Sequence, residues 1–311
     1  MDHLWATLSK IQIRLPFLAD FFRTFPQGEA YLVGGAIRDL LWGGESKDYD
    51  FLIRCVPAEE LGRFLSQRGK VSWVGKSFGV YKFIPDKTAL EEAVDVALPR
   101  TESSFSQGGG YRDFSIVSDP HLPIEDDLKR RDFTINAMAA DLKRQTLVDP
   151  FHGLKDLEAG LLRTVGDPAL RFSEDSSRLL RGLRFVSQFD LTFEAETWTV
   201  LKRRIGELNT RREDGVFVVP RETIAKEFIK ALVLHPVRAY DLWDKSGAFA
   251  ELIPELLEMK HCPQPMLYHS EGDVWTHTRL ALSQLLTPEF ESEFGGKPDA
   301  EVVLAVLFHD V

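Results

Sequence analysis

One stretch near the start of the chain, residues 31–53, constrains the fold more than any other part of the sequence. It reads Tyr-Leu-Val-Gly-Gly-Ala-Ile-Arg-Asp-Leu-Leu-Trp-Gly-Gly-Glu-Ser-Lys-Asp-Tyr-Asp-Phe-Leu-Ile. This order predicts a short strand, a turn at Gly34 and Gly35, one or two turns of helix, and a second strand. Because glycine has no Cβ atom, the turn lets a phosphate approach the backbone, and the free N–H groups at the helix start favour an anion there.

The second strand of this unit carries two aspartates, Asp48 and Asp50. Side chains two residues apart on a strand project from the same face. Paired carboxylates on a rigid strand suit Mg²⁺ in phosphoryl-transfer sites, and Arg38 would add a charged hydrogen bond to a phosphate. Each feature alone is more often structural, since glycine turns and solvated edge strands are common. Their order within one compact unit favours a site for a nucleoside triphosphate with magnesium.

Composition sets the broad class. The chain has 311 residues, of which 44% are hydrophobic and 28% charged, so it is long enough for about two or three folded domains. It has no apolar run of the ~18 residues that a membrane span needs and no leader peptide pattern at its N-terminus. These features predict a cytoplasmic protein without a membrane partner, and they do not indicate an oligomeric state.

The formal net charge of −10 argues at first against a nucleic-acid partner. Counterion release depends, however, on the local face that meets the phosphates, and the basic residues are clustered. The clusters are residues 129–131, Arg178 with Arg181 and Arg184, residues 202–204, and Arg211 with Arg212. Such runs are usually solvated surface, so they permit RNA binding without demonstrating it. The three consecutive cations at 129–131 would repel one another, which predicts an anion facing them.

The first half of the chain alternates strand and helix patterns. Periodicity predicts helices over residues 4–25, divided at Pro16, and over residues 57–69. Strand patterns occur at 71–73, 80–84, 93–98 and 146–148, and the third of these carries Asp95. Between residues 101 and 120 the pattern disappears, which predicts a long loop, either functional or a disordered surface insertion. Together the elements predict a mixed β-sheet with helices on one side.

The second half is predicted to be helical. Ser173 is a suitable N-cap, with Glu174 and Asp175 in the first turn. On the following helix an apolar side and an arginine side are expected on opposite faces. The apolar side consists of Leu179, Leu180, Leu183 and Val186, and the arginine side of Arg178, Arg181 and Arg184. Further helices are predicted at about 194–208, 221–234 and 236–248.

The expected fold class is α+β. The predicted domains are a head over residues 1–165, an all-α neck and body over 166–258, and a further helical segment over 259–311. This last segment contains His269, His277, His309 and Asp310, residue types that can hold a metal on helices, although their spacing alone is a weak signal. Its apolar helix ends immediately after Asp310, which suggests that the sequence is a fragment.

Four motifs occur in a fixed order over residues 31–185. They are Leu-Val-Gly-Gly-Ala-Ile-Arg-Asp with Asp48-Tyr49-Asp50, Arg130-Arg131-Asp132-Phe133-Thr134-Ile135-Asn136-Ala137, Asp149-Pro150 through Gly153 with Asp156-Leu157, and Glu174-Asp175 through Arg178, Arg181 and Arg184-Phe185. In this order they resemble the class II tRNA nucleotidyltransferases and bacterial poly(A) polymerases of the nucleotidyltransferase superfamily. Residues 95–102 resemble one bacterial subgroup of CCA-adding enzymes. A further set of residues resembles the start of that subgroup's HD domain: His269, Asp273, His277-Thr278 and His309-Asp310.

The resemblance implies a nucleotidyltransferase head, a helical neck that completes the nucleotide pocket, and a body and tail that grip the tRNA. It implies that Asp48 and Asp50 are the catalytic Mg²⁺ ligands. Asp95 would face the metal too if its strand lies beside that of Asp50, and it is otherwise a plain strand residue. The implied nucleotide-binding residues are Gly34, Gly35, Arg38, Arg131, Asp132, Asn136, Asp175, Arg178, Arg181 and Arg184. The implied HD metal ligands are His277, His309 and Asp310, and such a site needs a further Asp downstream.

The implied reaction is attack of a tRNA 3′-hydroxyl on the α-phosphorus of CTP or ATP, with pyrophosphate leaving. Cytosine and adenine both present an amino donor beside a ring-nitrogen acceptor, whereas uracil and guanine present a carbonyl beside an N–H. Asp175 and Arg178, three residues apart on one helix face, would match the first pattern and reject the second. The choice between C and A would involve flexible segments of the head, for which residues 101–120 are the candidate.

Three other functions stay open. Within the same chemistry, the chain would be a poly(A) polymerase or an enzyme that adds only CC or only A; the HD-like residues favour the tRNA enzymes. A different class is a metal-dependent HD phosphohydrolase with a nucleotide-binding head. The third is a non-catalytic RNA-binding adaptor, against which Asp48 and Asp50 argue, because binding alone does not require them.

Overall fold

The computed structural model describes residues 2–44, 46, 48–74, 80–86, 88, 93–104, 114–265 and 270–311. The described chain divides into two compact units, of which the first ends at residue 166 and the second begins at residue 167. Within these ranges, no helix is both long and apolar enough to cross a membrane. The further domain boundary expected near residue 258 stays a prediction.

The first unit alternates helices and strands. Its helices are α1 (Asp2–Arg14), α2 (Pro16–Thr24), α3 (Gly35–Leu41), α4 (Ala58–Ser66), α5 (Ile124–Lys129) and α6 (Gly153–Glu158). Its strands are β1 (Glu29–Val33), β2 (Asp50–Arg54), β3 (Gly69–Val74), β4 (Val80–Pro85), β5 (Val94–Ala97), β6 (Arg100–Ser104), β7 (Phe114–Ser118), β8 (Ala139–Asp141), β9 (Thr146–Val148) and β10 (Leu161–Leu162). Pro16 divides the first two helices as predicted, because it occupies the first position of α2.

Seven of the described strands form one mixed sheet in the order β3-β4-β5-β2-β1-β8-β9. Strand β2 is parallel to β5 and antiparallel to β1, and the other neighbours are antiparallel. The predicted α+β class with a mixed sheet is therefore confirmed. The last residue of β1, Val33, pairs with Asp50, the first residue of β2. This register puts the turn that follows β1 beside the start of the aspartate-bearing strand.

Helices cover both faces of this sheet. Helices α1 to α4 contribute to the core on one face, where the Phe17 ring lies edge-on to Phe51 at 5.9 Å and to Phe83 at 5.1 Å between centroids. On the other face, Leu52 packs in a cluster with Ile124 of α5. The prediction of helices on one side only is therefore incomplete. Helix α5 has six residues, which is too short for a helical period to be recognised in the sequence.

The predicted loop at residues 101–120 is wrong at both ends. Strands β6 and β7 pair with each other in an antiparallel register from Arg100 with Ser118 to Ser104 with Phe114. Residues 105–113 between them lie outside the described residues. The β6–β7 pair could not be predicted from the sequence because its strands have no strong apolar alternation, and Val117 in β7 is 60% exposed.

The anion predicted to face residues 129–131 is a carboxylate of the protein itself, which pairs with two of these three cations. Asp127 is fully buried, its Oδ1 lies 2.9 Å from Arg130 Nη2, and its Oδ2 lies 3.3 Å from Arg131 Nη2. Burial acts to raise the pKa of Asp127, but the charges of Arg130 and Arg131 hold it below its ordinary value. Two of the three cations, Arg130 and Arg131, are thus neutralised by a carboxylate of the protein itself that lies three and four residues before them, in α5.

We expect Asp127→Asn to lower the free energy of unfolding by about 3 kcal/mol at pH 7, because two partly buried guanidinium groups lose their counter-charge. Since the folded-state pKa of Asp127 is depressed, its stabilisation is present above the ordinary carboxyl pKa of about 4 and is lost as the pH falls through the lower folded value. Urea unfolding at neutral and at acidic pH measures both effects. Asp126→Asn, at an exposed neighbouring position, is the matched control. An equal loss in both variants would show that the ion pairs do not stabilise the fold.

The second unit is largely helical, as predicted. Its helices are α7 (Pro168–Glu174), α8 (Ser177–Gln188), α9 (Ala195–Arg204), α10 (Arg221–Leu234), α11 (Pro236–Ser246), α12 (Ala248–Leu252), α13 (Val274–Gln284), α14 (Pro288–Phe294) and α15 (Ala300–Phe308), with a short β11 (Thr192–Phe193). Its core is aromatic, with the Phe228 ring 4.1 Å from Trp243 and 5.8 Å from Phe249 between centroids. Leu179, Leu180, Leu183 and Val186 are buried, which confirms the predicted apolar side of α8.

The predicted helix start at Ser173 is wrong. Ser173 lies inside α7, which begins after Asp167, whose Oδ1 accepts a hydrogen bond from Ala169 N at 2.8 Å. Helix α8 begins only at Ser177. An Asp followed by Pro168 is the stronger start signal, because the Asp caps the helix and proline suits its first position.

Candidate active site

The three carboxylates predicted for metal binding come from one end of the mixed sheet. Asp50 begins β2 and pairs in parallel register with Asp95 of β5, so the two side chains project from the same face. Asp48 is exposed and lies two residues before β2, so its predicted position on a strand is wrong. Lys82 of β4, which sequence reasoning missed, is next in the row: it pairs with Asp95 in register, with Nζ 3.3 Å from Asp95 Oδ1.

Positive charge compensates these carboxylates only in part. Burial raises the pKa of Asp50, the charges of Asp95 and Asp48 raise it further, and Arg131 opposes the change. Among the described residues, the buried Asp95 Oδ1 has no hydrogen-bond partner, since its contact with Lys82 is an ion pair without hydrogen-bond geometry. Clustered oxygen ligands short of a cation fit a hard divalent ion such as Mg²⁺.

The predicted glycine turn adjoins these carboxylates. Gly34 has a φ of +72°, a conformation that side-chain-bearing residues rarely adopt. A Cβ atom at Gly34 would lie 2.9 Å from Arg131 Nη1 and 3.5 Å from Asp50 Oδ2, and one at Gly35 would lie 3.3 Å from Arg38 Nη2. Two arginines and a carboxylate therefore approach a backbone that has no side chains at this point.

Arg131 is held beside the turn by two acceptors. Its Nη1 donates to Asn136 O at 3.3 Å and its Nη2 donates to Asp127 Oδ2 at 3.3 Å. Its Nε is buried and, within the described ranges, has no hydrogen-bond partner. A buried guanidinium N–H without an acceptor fits an anionic ligand that is not part of the protein.

Arg38 belongs to a buried polar network rather than to the surface. The side chain is 7% exposed, and its Nη1 donates to Asn136 Oδ1 at 2.6 Å. Its Nε and Nη2 donate to Asp39 Oδ1 at 2.9 and 2.8 Å, and Asn136 Nδ2 in turn donates to Asp132 Oδ1 at 3.1 Å. The structure therefore brings together the predicted residues Arg38, Asn136 and Asp132. The pairing with Asp39, by contrast, is a neighbour contact that the sequence did not single out.

We expect Gly34→Ala to lower the free energy of unfolding by about 1–3 kcal/mol, because alanine is strained in this conformation. The new Cβ atom would also displace the Arg131 guanidinium, so the KM for nucleoside triphosphate should rise. Gly43→Ala is the matched control, since Gly43 also has a positive φ, of +86°, but nothing lies within 4 Å of its added Cβ. Urea unfolding and nucleotide titration separate the two effects. A KM that rises equally in both variants would show that the turn at Gly34 is not part of the nucleotide site.

The predicted base-reading pair in the second unit has a different local structure from the expected one. Asp175 lies in the linker between α7 and α8, where its Oδ1 accepts from Ser177 N at 2.9 Å. Arg178 is in α8, is 7% exposed, and donates from Nη1 to Glu174 Oε2 at 2.7 Å and to Arg171 O at 3.0 Å. The prediction that the pair shares a helix face is therefore wrong, because a helix break separates the two residues.

Glu174 has a role that the sequence reading missed. Instead of capping a helix, its Oε2 pairs with Arg178 and with Arg171 Nη1, which lies 2.8 Å away. The signal for this bridge was the spacing of three and four residues on either side of Glu174. The two acidic residues at 174 and 175 thus act separately: one fixes an arginine and the other fixes a helix start.

The other two predicted arginines of α8 are engaged within the second unit. Arg184 Nε lies 2.5 Å from Glu227 Oε2 of α10, and its Nη1 donates to Gln188 Oε1 at 2.7 Å. The guanidinium carbons of Arg181 and Arg184 lie 5.2 and 4.2 Å from the centre of the Phe185 ring. Arg181 and Arg184 of the predicted arginine side are therefore in contact with residues of their own helix and, through Glu227, of a neighbouring helix.

Three of the predicted HD-like residues are brought together near the end of the chain. One ligand atom each from His277, His309 and Asp310 lies within 4.8 Å of the others. His277 Nδ1 also lies 2.6 Å from Glu271 Oε1, a partner that sequence reasoning missed. Asp273 instead caps α13, and hydrogen bonds from Thr276 lower its pKa to about 2. The third predicted histidine, His269, lies outside the described residues.

Comparisons with known proteins give one consistent family. Residues 30–163 match the family model described as the poly A polymerase head domain. The Multifunctional CCA protein of Alkalilimnicola ehrlichii is 39% identical over 290 residues, which cover 91% of this chain and 62% of that protein. The protein of the same name from Nitrosomonas europaea is 34% identical over 282 residues, covering 90% and 61%. The chain thus spans less than two thirds of the length of these curated relatives.

Solved structures show the same likeness over nearly the whole chain. A CCA-adding enzyme in its apo form II has a TM-score of 0.69 and 25% identity, over 96% of this chain and 65% of that one. The Thermotoga maritima CCA-adding enzyme complexed with tRNA carrying CCA has a TM-score of 0.65 and 26% identity, over 95% and 62%. The similarity therefore extends from the head through the helical second unit.

Proposed function

The chain belongs to the class II CCA-adding enzyme family, and we propose that it transfers CMP or AMP from CTP or ATP to the 3′ end of a tRNA. The observation that carries this proposal is the row of carboxylates at the end of the sheet: Asp50 and Asp95 are in register, Asp48 lies two residues before β2, and the Asp50 carboxylate lies beside Gly34. The names of the relatives, which refer to CCA addition and to tRNA, support the same substrates. A tRNA substrate would place the protein in the cytoplasm.

In this proposal Asp48 and Asp50 hold Mg²⁺, with Asp95 as a third carboxylate facing it. When bound, Mg²⁺ supplies neutralisation of the triphosphate and a lower pKa for the attacking hydroxyl. The tRNA 3′-oxygen attacks the α-phosphorus, its proton leaves to solvent, and the bond to the pyrophosphate oxygen breaks. Arg131 would donate its buried Nε–H to the triphosphate beside Gly34.

The buried network around Arg38 would position these groups rather than take part in the chemistry. Asn136 receives a hydrogen bond from Arg38 through its side chain and from Arg131 through its carbonyl oxygen. Asp132 holds the Asn136 amide from the other side. Asn136 thus contacts two arginines, Arg38 through its side-chain amide and Arg131 through its backbone carbonyl, so a side-chain substitution there would remove the acceptor for Arg38 and keep the one for Arg131. Preorganised donors of this kind cost little reorganisation when charge develops in the transition state.

Asp175 and Arg178 would select the base. An Asp carboxylate accepts from the exocyclic amino group of cytosine or adenine, and an arginine donates to the adjacent ring nitrogen. Both groups are held by local contacts: Asp175 by Ser177 N, and Arg178 by Glu174. UTP and GTP would leave buried polar groups unpaired, and that penalty is the basis of rejection. The predicted roles of Arg181 and Arg184 would be to support the nucleotide from their contacts around Phe185.

One experiment separates the variants of this function. The protein is incubated with three tRNA substrates that end before the CCA, after the first C, and after CC, with labelled CTP and labelled ATP supplied separately. Full CCA addition gives CMP incorporation on the first two substrates and a single AMP on the third. A CC-adding or an A-adding enzyme gives only one of these results, and a poly(A) polymerase adds many AMP residues to any end. No incorporation with any substrate would contradict the proposal.

A second candidate function, metal-dependent phosphohydrolysis, is favoured by the cluster of His277, His309 and Asp310. Two imidazoles and a carboxylate suit a transition metal, and the Glu271 carboxylate would orient His277. The test is release of inorganic phosphate from ATP with Mn²⁺ and without tRNA. Asp310→Asn should abolish it, and Asp299→Asn, which keeps the cap of α15, is the control. Phosphate release that is equal in both variants would exclude this site as its source.

A further inference from the structure

A short hairpin and the first residue of α10, which follows it, together carry two arginines and an aromatic ring that none of the proposed functions uses. Backbone hydrogen bonds join Val218 N to Thr210 O at 2.9 Å and Arg212 N to Val216 O at 2.8 Å, and the chain reverses at Gly215, where φ is +81°. Val218 and Val219 are buried and anchor the hairpin to the second unit. The hairpin is thus a built part of the fold rather than a free loop.

Two guanidinium groups stack on one ring of this hairpin. The guanidinium carbons of Arg211 and Arg221 lie 3.7 and 3.8 Å from the centre of the Phe217 ring. Arg221 is the first residue of α10, so the ring joins the hairpin to a helix start. We refer to Arg211, Phe217 and Arg221 as the arginine–phenylalanine cluster. Both arginines are exposed and Phe217 is half-buried, so the cluster is accessible.

The hydrogen-bond partners of both arginines are neutral. Arg211 Nη1 donates to Gly215 O at 2.8 Å, and Arg221 Nη2 donates to Asn209 Oδ1 at 2.6 Å. Neither has a carboxylate within ion-pair distance among the described residues. Other arginines of the same unit do: Arg204 Nη2 lies 2.9 Å from Glu207, and Arg279 Nε lies 2.7 Å from Asp241.

The two positive charges also act against each other. Partial burial lowers the pKa of Arg221, and the charge of Arg211 lowers it further. The hairpin acid Asp214 forms no ion pair with either arginine among the described residues, and its Oδ1 accepts a hydrogen bond from Val216 N at 3.0 Å. The contacts with the Phe217 ring therefore hold two like charges close together, in a chain whose net charge is −10. An external anion between or beside the guanidinium groups would remove the repulsion.

We propose that the arginine–phenylalanine cluster binds the phosphodiester backbone of the RNA substrate. Guanidinium groups match phosphate oxygens with paired hydrogen bonds, and stacking on a ring holds their planes in place. The cluster lies on an exposed hairpin and not in a cavity, which suits an extended strand better than a free nucleotide. This inference rests on the proposed RNA substrate, and it adds a contact surface in the second unit made of residues that the proposed catalysis does not use.

The test is binding of a fluorescently labelled tRNA, measured by anisotropy over a range of salt concentrations. Arg211→Gln combined with Arg221→Gln is expected to weaken binding about tenfold at low salt and to reduce the slope of log K against log salt by about 1.5, since two phosphate contacts are lost. Lys226→Gln combined with Lys230→Gln is the matched control, because these exposed lysines of α10 give the same change in net charge. The control should stay within about twofold of the unaltered protein.

Competitors identify the ligand. Unlabelled tRNA should displace the label from the unaltered protein and from the control at the same concentration, whereas millimolar inorganic phosphate and poly-L-glutamate should not. Equal binding and equal salt slope in the two double variants would overturn the inference, and so would displacement by poly-L-glutamate as effective as that by RNA. Failure of the proposed function is distinguishable, because it would appear as absence of nucleotide incorporation by the unaltered protein, whatever the double variants bind.

Discussion

Replacing Asp50 with asparagine is expected to abolish nucleotide incorporation and, in the absence of magnesium, to raise the melting temperature. The loss of activity should exceed the ~10–100-fold that removal of an outer-shell partner of a metal costs, because Asp50 is proposed as a direct ligand. The gain in stability follows from its pKa. Burial and the neighbouring charges of Asp95 and Asp48 raise the folded-state pKa of Asp50, so its ionised form costs stability at neutral pH.

The sign of the stability effect depends on pH. A carboxyl group with a raised folded-state pKa binds its proton more tightly in the folded protein than in the unfolded one. The difference in stability between Asp50→Asn and the unaltered protein should therefore be present at neutral pH and shrink as the pH falls through the folded-state pKa. Thermal melting at several pH values measures it.

Magnesium provides the second half of this test. MgCl₂ should raise the melting temperature of the unaltered protein and leave that of Asp50→Asn nearly unchanged, because a ligand stabilises only the state that binds it. Asp86→Asn, at an exposed position just after β4, is the control and should respond to MgCl₂ as the unaltered protein does. Substantial magnesium-dependent incorporation by Asp50→Asn would contradict the site. A fall in its melting temperature would mean that the carboxylate is structural.

The part of the site that could be predicted from sequence is the part made by local geometry. The strand, the turn at Gly34, the helix and the strand beginning at Asp50 occur in the predicted order because each depends on residues only a few positions apart. The apolar side of α8 is confirmed for the same reason, since its helical period is visible within ten residues.

The remaining features depend on contacts between distant parts of the chain or on weak local signals. The parallel pairing of Asp50 with Asp95 joins strands separated by α4 and two further strands, and only the sheet register reveals it. The Arg38–Asn136 hydrogen bond joins residues 98 positions apart. The break between α7 and α8 is not evident from the sequence because two start signals, Asp167 and Ser173, lie within ten residues of each other. The first begins α7, which ends at Glu174, and α8 begins at Ser177.

This break changes how base selection by Asp175 should be tested. Asp175 Oδ1 accepts a hydrogen bond from Ser177 N, so Asp175→Ala would disturb the start of α8 as well as the proposed base contact. Asp175→Asn keeps an oxygen for Ser177 N but replaces the other oxygen with an amide donor. Asparagine also caps helices as well as aspartate does, so the fold should change little.

We expect Asp175→Asn to reduce the preference for CTP over UTP, and for ATP over GTP, by about 10–100-fold in kcat/KM, because one buried polar mismatch costs about 1–3 kcal/mol. Asp167→Asn is the matched control: its Oδ1 caps α7 in the same way, and it is not proposed to meet a base. Arg178→Ala should also loosen selectivity, but it removes the ion pair between Arg178 and Glu174, so the melting temperature of this variant must be measured as well. If Asp175→Asn discriminates as well as Asp167→Asn does, the carboxylate does not read the base, and its contact with Ser177 N would then be its whole role.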